Sequence, residues 1–332
     1  MPDLIRVEKA GLYCEQGDFY IDPWQPVQTA LITHAHGDHA RTGSMHYISS
    51  RKSVPILNHR LGEHVPIDGR EYGERIKLGN TWVSFHSAGH ILGSSQIRVE
   101  HKDEVWVASG DYKRTPDPSC DPFDVQICDH FISEATFAIP IYNWQPGHVV
   151  AKQIYDWWFA DQDRPTMLFC YALGKAQRVL AELCAYTDRK IFLHGAISEL
   201  TNVYRQAGIK MLPTAMVTDM PKDYSFKGDL ILAPPSAHRS PWMKRFKEPQ
   251  TAFASGWMQV RGNRRRKGYE KGFVLSDHAD WNELNQTIRE TTAKTVYLTH
   301  GRTDVLARYL KEQSINVSLL QTEYDNEEED AS

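Results

Sequence analysis

The sequence predicts a mixed α/β protein in which one α/β domain interrupts another. Three observations carry this reading. The chain has 332 residues, which suits two domains or one domain with a large insertion. Its first third reads as short strands, each ending in His or Asp beside Gly. From about residue 146 strands and helices alternate, and near the C-terminus the strand-then-histidine pattern returns.

Each element has a local reason. Residues 18–22, DFYID, alternate and stop at Pro23, and residues 29–33, TALIT, form an apolar run that ends at a polar cluster. Residues 81–89, TWVSFHSAG, and 94–111, SSQIRVEHKDEVWVASGD, read as further strands with Gly at their ends. A helix is expected over 149–162, VVAKQIYDWWFADQ, then a strand over 165–172, PTMLFCYA, and a helix over 173–186. IFLHG is a short strand, residues 198–209 a helix, and KGDLILAPP a strand, an order that places helices on a parallel sheet. The chain then returns to FVLSDHAD, a helix over 281–292, and the strand TVYLTHG. The expected boundaries are 1–145 and 261–322 for the interrupted domain, 146–260 for the insert, and 323–332 for an acidic tail.

Composition excludes several classes. Hydrophobic residues at 41% and charged residues at 24% are ordinary for a globular chain and argue against extensive disorder. No apolar stretch reaches the roughly 18–20 residues a membrane span needs. The opening MPDLIRVEKAGLY lacks a basic segment followed by an apolar one, so the expectation is no signal peptide and a cytoplasmic protein. Five cysteines, none in a CxxC pair, argue for reduced thiols rather than a disulfide framework or zinc ribbon. The net charge of −4 conceals an asymmetry: the last twelve residues hold six acids and no base, so the body is mildly basic at +2 and the tail reads as solvated and unstructured.

The chemistry concentrates in THAHGDHA, where His34, His36, Asp38 and His39 follow a buried strand. Residues at i and i+2 of an extended segment project to one side, so His34 and His36 can grip one metal. Asp38 and His39, past the glycine turn, can grip a second. Imidazole with carboxylate suits zinc, with manganese or iron as alternatives. His90 in HSAGHILGSS and Asp111 in VASGDYKR can close the sites, each at a strand end beside Gly. A carboxylate such as Asp111 can bridge two cations about 3.5–4 Å apart, a geometry that splits phosphate esters.

These six residues, in this order, resemble the ligand positions of the metallo-β-lactamase superfamily. The resemblance implies an αββα sandwich, and it matches Asp22 to the acid that orients a metal-binding histidine. Three later segments resemble the β-CASP nucleases: SEATFA with Glu134, LSDHADWNEL with His278, and VYLTHGR with His300. The insert is then the α/β β-CASP domain. The family pattern implies that His300 joins Asp38, His39 and Asp111 at the second metal. It implies that His278 faces the scissile phosphate as general acid or clamp, with its tautomer fixed by Glu134. Most of the chain, through GLYC, FYIDP, ALITHAHGDHA, HSAGHILGSSQI and GDYKR to SEATF, looks like bacterial ligase-associated DNA exonucleases. That likeness implies a 5′→3′ DNA exonuclease in DNA repair, using a hydroxide activated by two divalent cations, beside a helicase and an ATP-dependent DNA ligase. His300 and GHILGSSQ also resemble the RNA-processing branch, so a ribonuclease of the same chemistry stays open. A small-molecule metallohydrolase and a non-catalytic scaffold are the remaining rivals; the insert argues against the first, and the filled ligand positions against the second.

Three segments can hold a phosphate chain. Gly174 and Lys175 begin a helix, where free N–H groups and an ammonium favour anions; a plain helix cap is the other reading. Ser255 and Gly256, in FASGWMQ, resemble a family segment that grips a phosphate, and the adjoining Trp257 reads equally as core. Arg261, Arg264, Arg265, Arg266 and Lys267 form a basic loop suited to phosphates, or simply a solvated one. Trp157 and Trp158 lie in a helical pattern, where core packing outweighs base stacking.

Overall fold

Strands whose residues alternate between two apolar faces need a layer on each side, and this requirement organises both halves of the chain. The computed structural model describes residues 3–260 and 268–323. The basic segment with Arg261, Arg264, Arg265, Arg266 and Lys267, and the tail from residue 324 onward, lie outside the described residues.

The chain opens with β1 (Ile5–Glu8), β2 (Gly11–Cys14), β3 (Phe19–Ile21), β4 (Thr29–Ile32), β5 (His46–Ser50), α1 (Val54–Leu61) and β6 (Ile67–Arg70). It continues through β7 (Ile76–Leu78), β8 (Thr81–Ser87), β9 (Ser95–His101), β10 (Glu104–Ala108) and β11 (His130–Ala135). Next come α2 (Gly147–Ala160), β12 (Thr166–Phe169), α3 (Lys175–Glu182), β13 (Ile191–Leu193), α4 (Gly195–Gln206), β14 (Thr214–Met216), β15 (Leu230–Ala233), β16 (Gln250–Ala254) and β17 (Lys271–Phe273). It closes with α5 (Trp281–Glu290), β18 (Thr295–Gly301), α6 (Thr303–Glu312) and β19 (Asn316–Leu319).

Two compact units result. The first comprises the described residues of Met1–Arg114, Asp121–Asn143 and His278–Asp330. It holds a sheet in the order β1-β2-β3-β4-β5-β6 and another in the order β19-β18-β11-β10-β9-β8-β7. The sheets share one core: Leu12, Ile21, Leu31 and Ile48 of one meet Val83, Phe85, Ile97, Val99 and Trp106 of the other. Alternation sends Val107, Phe131, Val296 and Leu298 to the opposite face of the second sheet. There they pack on Leu284 and Ile288 of α5 and Leu306 and Leu310 of α6. Each fully buried side chain of this kind stabilises by about 1.5–3 kcal/mol.

The second unit comprises the described residues of Thr115–Cys120 and Trp144–Asp277. Its sheet is parallel throughout, in the order β14-β13-β15-β12-β16-β17. Leu168, Leu193, Leu232 and Ala252 face Ile154 and Trp158 of α2, Val179 and Leu180 of α3, and Ile197 of α4. Phe169, Phe192, Ile231 and Phe253 face a second cluster with Phe226, Phe246 and Tyr269. Trp158 is fully buried and its indole N–H donates to the Gly228 carbonyl at 2.8 Å, a core role. The sequence reading begins the return to the first domain at residue 261. The structure keeps Lys271–Phe273 in the second sheet, paired in parallel with Ala252–Ala254, and begins the return at His278. A three-residue strand has too little periodicity to be read ahead of its pairing.

Candidate metal centre

Within the first unit most of the candidate ligand side chains stand at the C-terminal ends of strands. Asp22 follows β3, the run from Thr33 to His39 follows β4, His90 follows β8, and Asp111 follows β10. Glu134 lies at the end of β11 and His300 at the end of β18. Each strand delivers its ligand loop to one edge of the two-sheet core. His300 sits at a local irregularity: β11 and β18 pair Glu134 with Thr299 and Ala135 with Gly301, so His300 is the extra residue of a bulge and has φ 62°. Bulges re-aim a side chain, and left-handed backbone at a non-glycine is a strained state held by its surroundings. Gly110, with φ 55°, lets the backbone pass Thr33, since a Cβ there would lie 2.6 Å from the Thr33 Cβ.

The side chains gather into contiguous clusters. His34, His36, His90 and Asp111 offer ligand atoms all within 4.8 Å of one another, as do Asp38, His39 and His300. Asp111 joins the two. Its Oδ2 lies 3.3 Å from His34 Nε2, 3.6 Å from His39 Nε2 and 3.8 Å from His90 Nε2, and its Oδ1 lies 3.9 Å from His300 Nδ1. His36 Nδ1 is 3.1 Å from His90 Nε2, and His39 Nε2 is 3.4 Å from Asp38 Oδ2. A third group places His278 and Glu134 beside Asp111. His278 Nδ1 meets Glu134 Oε2 at 2.8 Å, and its ring centroid is 4.7 Å from that of His90. Glu134 is itself held by the Tyr112 N–H at 2.7 Å and the Thr136 hydroxyl at 2.6 Å.

These residues fit divalent cations. Among the described residues no hydrogen bond reaches the buried atoms His34 Nε2, Asp38 Oδ1 and Asp111 Oδ1. Buried polar atoms ordinarily have partners, so donor atoms turned toward a common centre mark a place for an ion. Nitrogen and oxygen donors bound at about 2.0–2.2 Å stand roughly 3.3 Å apart around a tetrahedral ion, close to the spacing seen here. A cavity of about 20 Å³ adjoins the cluster, lined by Asp22, Thr33, His39, Asp111, Glu134 and His300 among others. It has room for one water-sized occupant.

Electrostatics point the same way. Burial pushes His34 and His36 down to about 4, so both are neutral at pH 7, as a metal-binding imidazole must be. Burial, then the neighbouring His278 and His34, hold His90 well below the usual histidine range. Burial also opposes charge on His39, yet Asp38, Asp111 and Asp22 together raise it to about 10. Burial would raise Asp111, but His39, His278 and His34 hold it well below the usual carboxylate range. A site that draws a proton onto a buried imidazole has the negative potential that attracts a cation.

Asp22 is buried, with φ 42°, and accepts from His39 Nδ1 at 2.8 Å and from the Thr33 N–H at 2.7 Å. Sequence reasoning found Asp22 but missed Thr33, whose only signal was its place before His34. In the second unit Gly174 has φ 86° at the start of α3, and Lys175 is fully buried. The Lys175 Nζ stands 3.1 Å from Asp277 Oδ2, within a cluster that adds Arg178, Asp117 and Glu182. That ion cluster also went unread in the sequence. Ser255 is buried and caps the turn at Gly256 by accepting from the Trp257 N–H at 3.3 Å. Trp257 is half-buried against the Phe169 cluster.

No family model matches the chain. A protein of Opitutus terrae named "Probable DNA ligase" is 30% identical over 314 residues, which cover 92% of this chain and 30% of that protein. The chain therefore spans under a third of the relative's length. A solved structure, "Crystal Structure of a Protein of Unknown Function from Enterococcus faecalis V583", is similar with a TM-score of 0.60 at 13% identity. It covers 90% of this chain and 80% of its own, a likeness of fold alone. Among the described residues no helix is long and apolar enough to cross a membrane.

Proposed function

We propose that this chain is a metal-dependent phosphodiesterase of the metallo-β-lactamase type with an inserted β-CASP domain, acting on DNA as a 5′→3′ exonuclease in repair. The observation that carries the reading is the pair of histidine–aspartate clusters joined through Asp111, with the His278–Glu134 pair alongside. His34, His36, His90 and Asp111 would hold one divalent cation, and Asp38, His39, His300 and Asp111 a second. Zinc is the metal we assign, with manganese or iron as alternatives. When bound, two such cations supply Lewis acidity toward the phosphoryl oxygens and lower the pKa of water.

The protein's own groups do the rest. Glu134 accepts from His278 Nδ1, so in the doubly protonated imidazolium form it is the Nε2 proton of His278 that would pass to the leaving oxygen. A water oxygen forms the new bond to phosphorus while the ester P–O bond breaks, and a proton from that water restores His278. Asp22 holds His39 through Nδ1, so that Nε2 is presented to the cluster. The arginines at 261 and 264–266 are proposed to track the phosphate chain; Gly174, Lys175, Ser255 and Gly256 are buried, Lys175 against Asp277 and Ser255 as a turn cap, so they are not assigned to it.

The DNA assignment is supported by the 30% identity to a relative whose own name is that of a DNA ligase. A DNA ligase is accordingly one partner we propose, and the family resemblance adds an ATP-dependent form of it and a helicase. A second reading, an RNA-processing nuclease with the same chemistry, is favoured by His300 in the second cluster.

The test uses purified protein with Asp38→Ala as control. Single-stranded DNA and RNA, labelled at the 5′ end in one series and the 3′ end in another, are incubated with zinc, manganese or iron. The expected result is early release of a 5′ mononucleotide from DNA and none with Asp38→Ala. Preferred cleavage of RNA would replace the DNA reading with the second one. Neither polymer being cut with any metal would overturn both.

A further inference from the structure

We propose that Thr33 is a positioning residue of the metal centre: its hydroxyl relays the Asp22 carboxylate to His34 and so selects the tautomer that turns His34 Nε2 toward the cluster. The inference rests on the metal-centre reading above and adds a residue to it. The Thr33 Oγ1 lies 2.5 Å from Asp22 Oδ2 and 3.1 Å from His34 Nδ1. A hydroxyl has one proton and can serve these two neighbours in only one consistent way. Burial raises the Asp22 carboxyl, but it accepts from His39 Nδ1 and the Thr33 N–H, which favour its ionised form, and an ionised carboxylate only accepts, so the hydroxyl donates to Asp22. Its lone pair then accepts from His34, which requires the proton on Nδ1. His34 Nε2 is left as the lone-pair nitrogen, and it faces Asp111 Oδ2 at 3.3 Å.

The same carboxylate oxygen accepts from His39 Nδ1 at 2.8 Å. One buried carboxylate therefore presents Nε2 of two histidines, His39 directly and His34 through Thr33. His34 belongs to the first ligand cluster and His39 to the second, so the relay sets both from one point. Two features hold the hydroxyl in place. The Thr33 carbonyl accepts from the Ser95 N–H at 2.8 Å and the Ser95 hydroxyl at 3.0 Å. Its β-branched side chain fits against Gly110, where any Cβ would collide with the Thr33 Cβ, Oγ1 and Cγ2. Threonine has few χ1 choices, so a fitted methyl fixes the hydroxyl direction.

The experiment reads the tautomer directly. Histidine-labelled protein, stripped of metal and held at pH 7.5, is examined by long-range ¹⁵N–¹H correlation as wild type, Thr33→Val and Thr33→Ser. Zinc affinity is measured on the same samples by competition with a chromophoric chelator. The expected result is a proton on His34 Nδ1 in wild type and Thr33→Ser, and a mixed or Nε2–H tautomer in Thr33→Val. Zinc binding should weaken about 10–100-fold in Thr33→Val and return to near wild type in Thr33→Ser. A wild-type His34 protonated on Nε2 overturns the proposal without reference to any variant. So does a Thr33→Val protein with unchanged tautomer and affinity. If Nδ1–H is found but no form takes up zinc, manganese or iron, the metal-centre reading fails while the hydrogen-bond relay stands.

Discussion

Alanine at Gly110 tests whether the turn that carries Asp111 is built around Thr33. Gly110 has φ 55°, which costs an L-residue about 1–2 kcal/mol. The new Cβ would also lie 2.6 Å from Thr33 Cβ, 2.7 Å from its Oγ1 and 3.0 Å from its Cγ2. Thr33 cannot rotate away without breaking its hydrogen bonds to Asp22 and His34, so overpacking adds about 1–3 kcal/mol. The expected loss is therefore about 2–5 kcal/mol. Gly73 supplies the control within the same unit. It has φ 78°, and a Cβ added there would meet nothing within 4 Å, so Gly73→Ala should cost only the backbone part, about 1–2 kcal/mol. Equilibrium urea denaturation in excess chelator compares the two without metal stabilisation. A zinc titration should then show weakened binding in Gly110→Ala and unchanged binding in Gly73→Ala. Denaturation midpoints and zinc affinities that coincide for the two variants would refute the packing argument.

Three further outcomes are expected. Glu134→Gln keeps the shape but turns one acceptor into a donor among the Tyr112 N–H, the Thr136 hydroxyl and His278; stability should fall by about 1–3 kcal/mol and kcat by roughly 10²-fold, and an unchanged kcat would remove the pair from the mechanism. The metal-free protein should lose stability on both sides of about pH 6.5: burial holds His34 and His36 down at about 4, so acid favours the unfolded chain by roughly 3 kcal/mol per residue between about 6.5 and 4, while the stability from His39, raised to about 10 against burial by Asp38, Asp111 and Asp22, is lost as pH rises from about 6.5 through 10. A denaturation midpoint that does not move between pH 5 and 9 would contradict this. Lys175→Met should destabilise by about 3 kcal/mol by leaving Asp277 short of a partner, with part of the loss recovered in Lys175→Met/Asp277→Asn; a raised KM at unchanged stability would instead assign Lys175 to the substrate phosphates.

Much of the centre was legible because its first part is local. His34, His36, Asp38 and His39 fall in one short run after an apolar strand, and the i, i+2 spacing of His34 and His36 already suggested a common side. His90 and Asp111 were legible because each follows a strand and stands beside a glycine. The hydrogen bond between His278 and Glu134 was expected only through the family resemblance, since 144 residues separate the two and no local pattern links them. Lys175 shows the opposite case. Read locally it is an exposed cation at a helix start, yet the fold buries it and sets it on Asp277.

The mixed α/β class, the alternation of faces and the residue types that converge follow from the amino-acid order alone, because they depend on neighbours a few positions apart. Packing decided what cannot be periodic. It set the bulge that turns His300, the three-residue strand that moves the unit boundary to His278, and the Thr33 hydroxyl placed between Asp22 and His34. Each of these depends on the distance between atoms from separate strands or the direction of one donor, and such distances exist only once the sheets have packed.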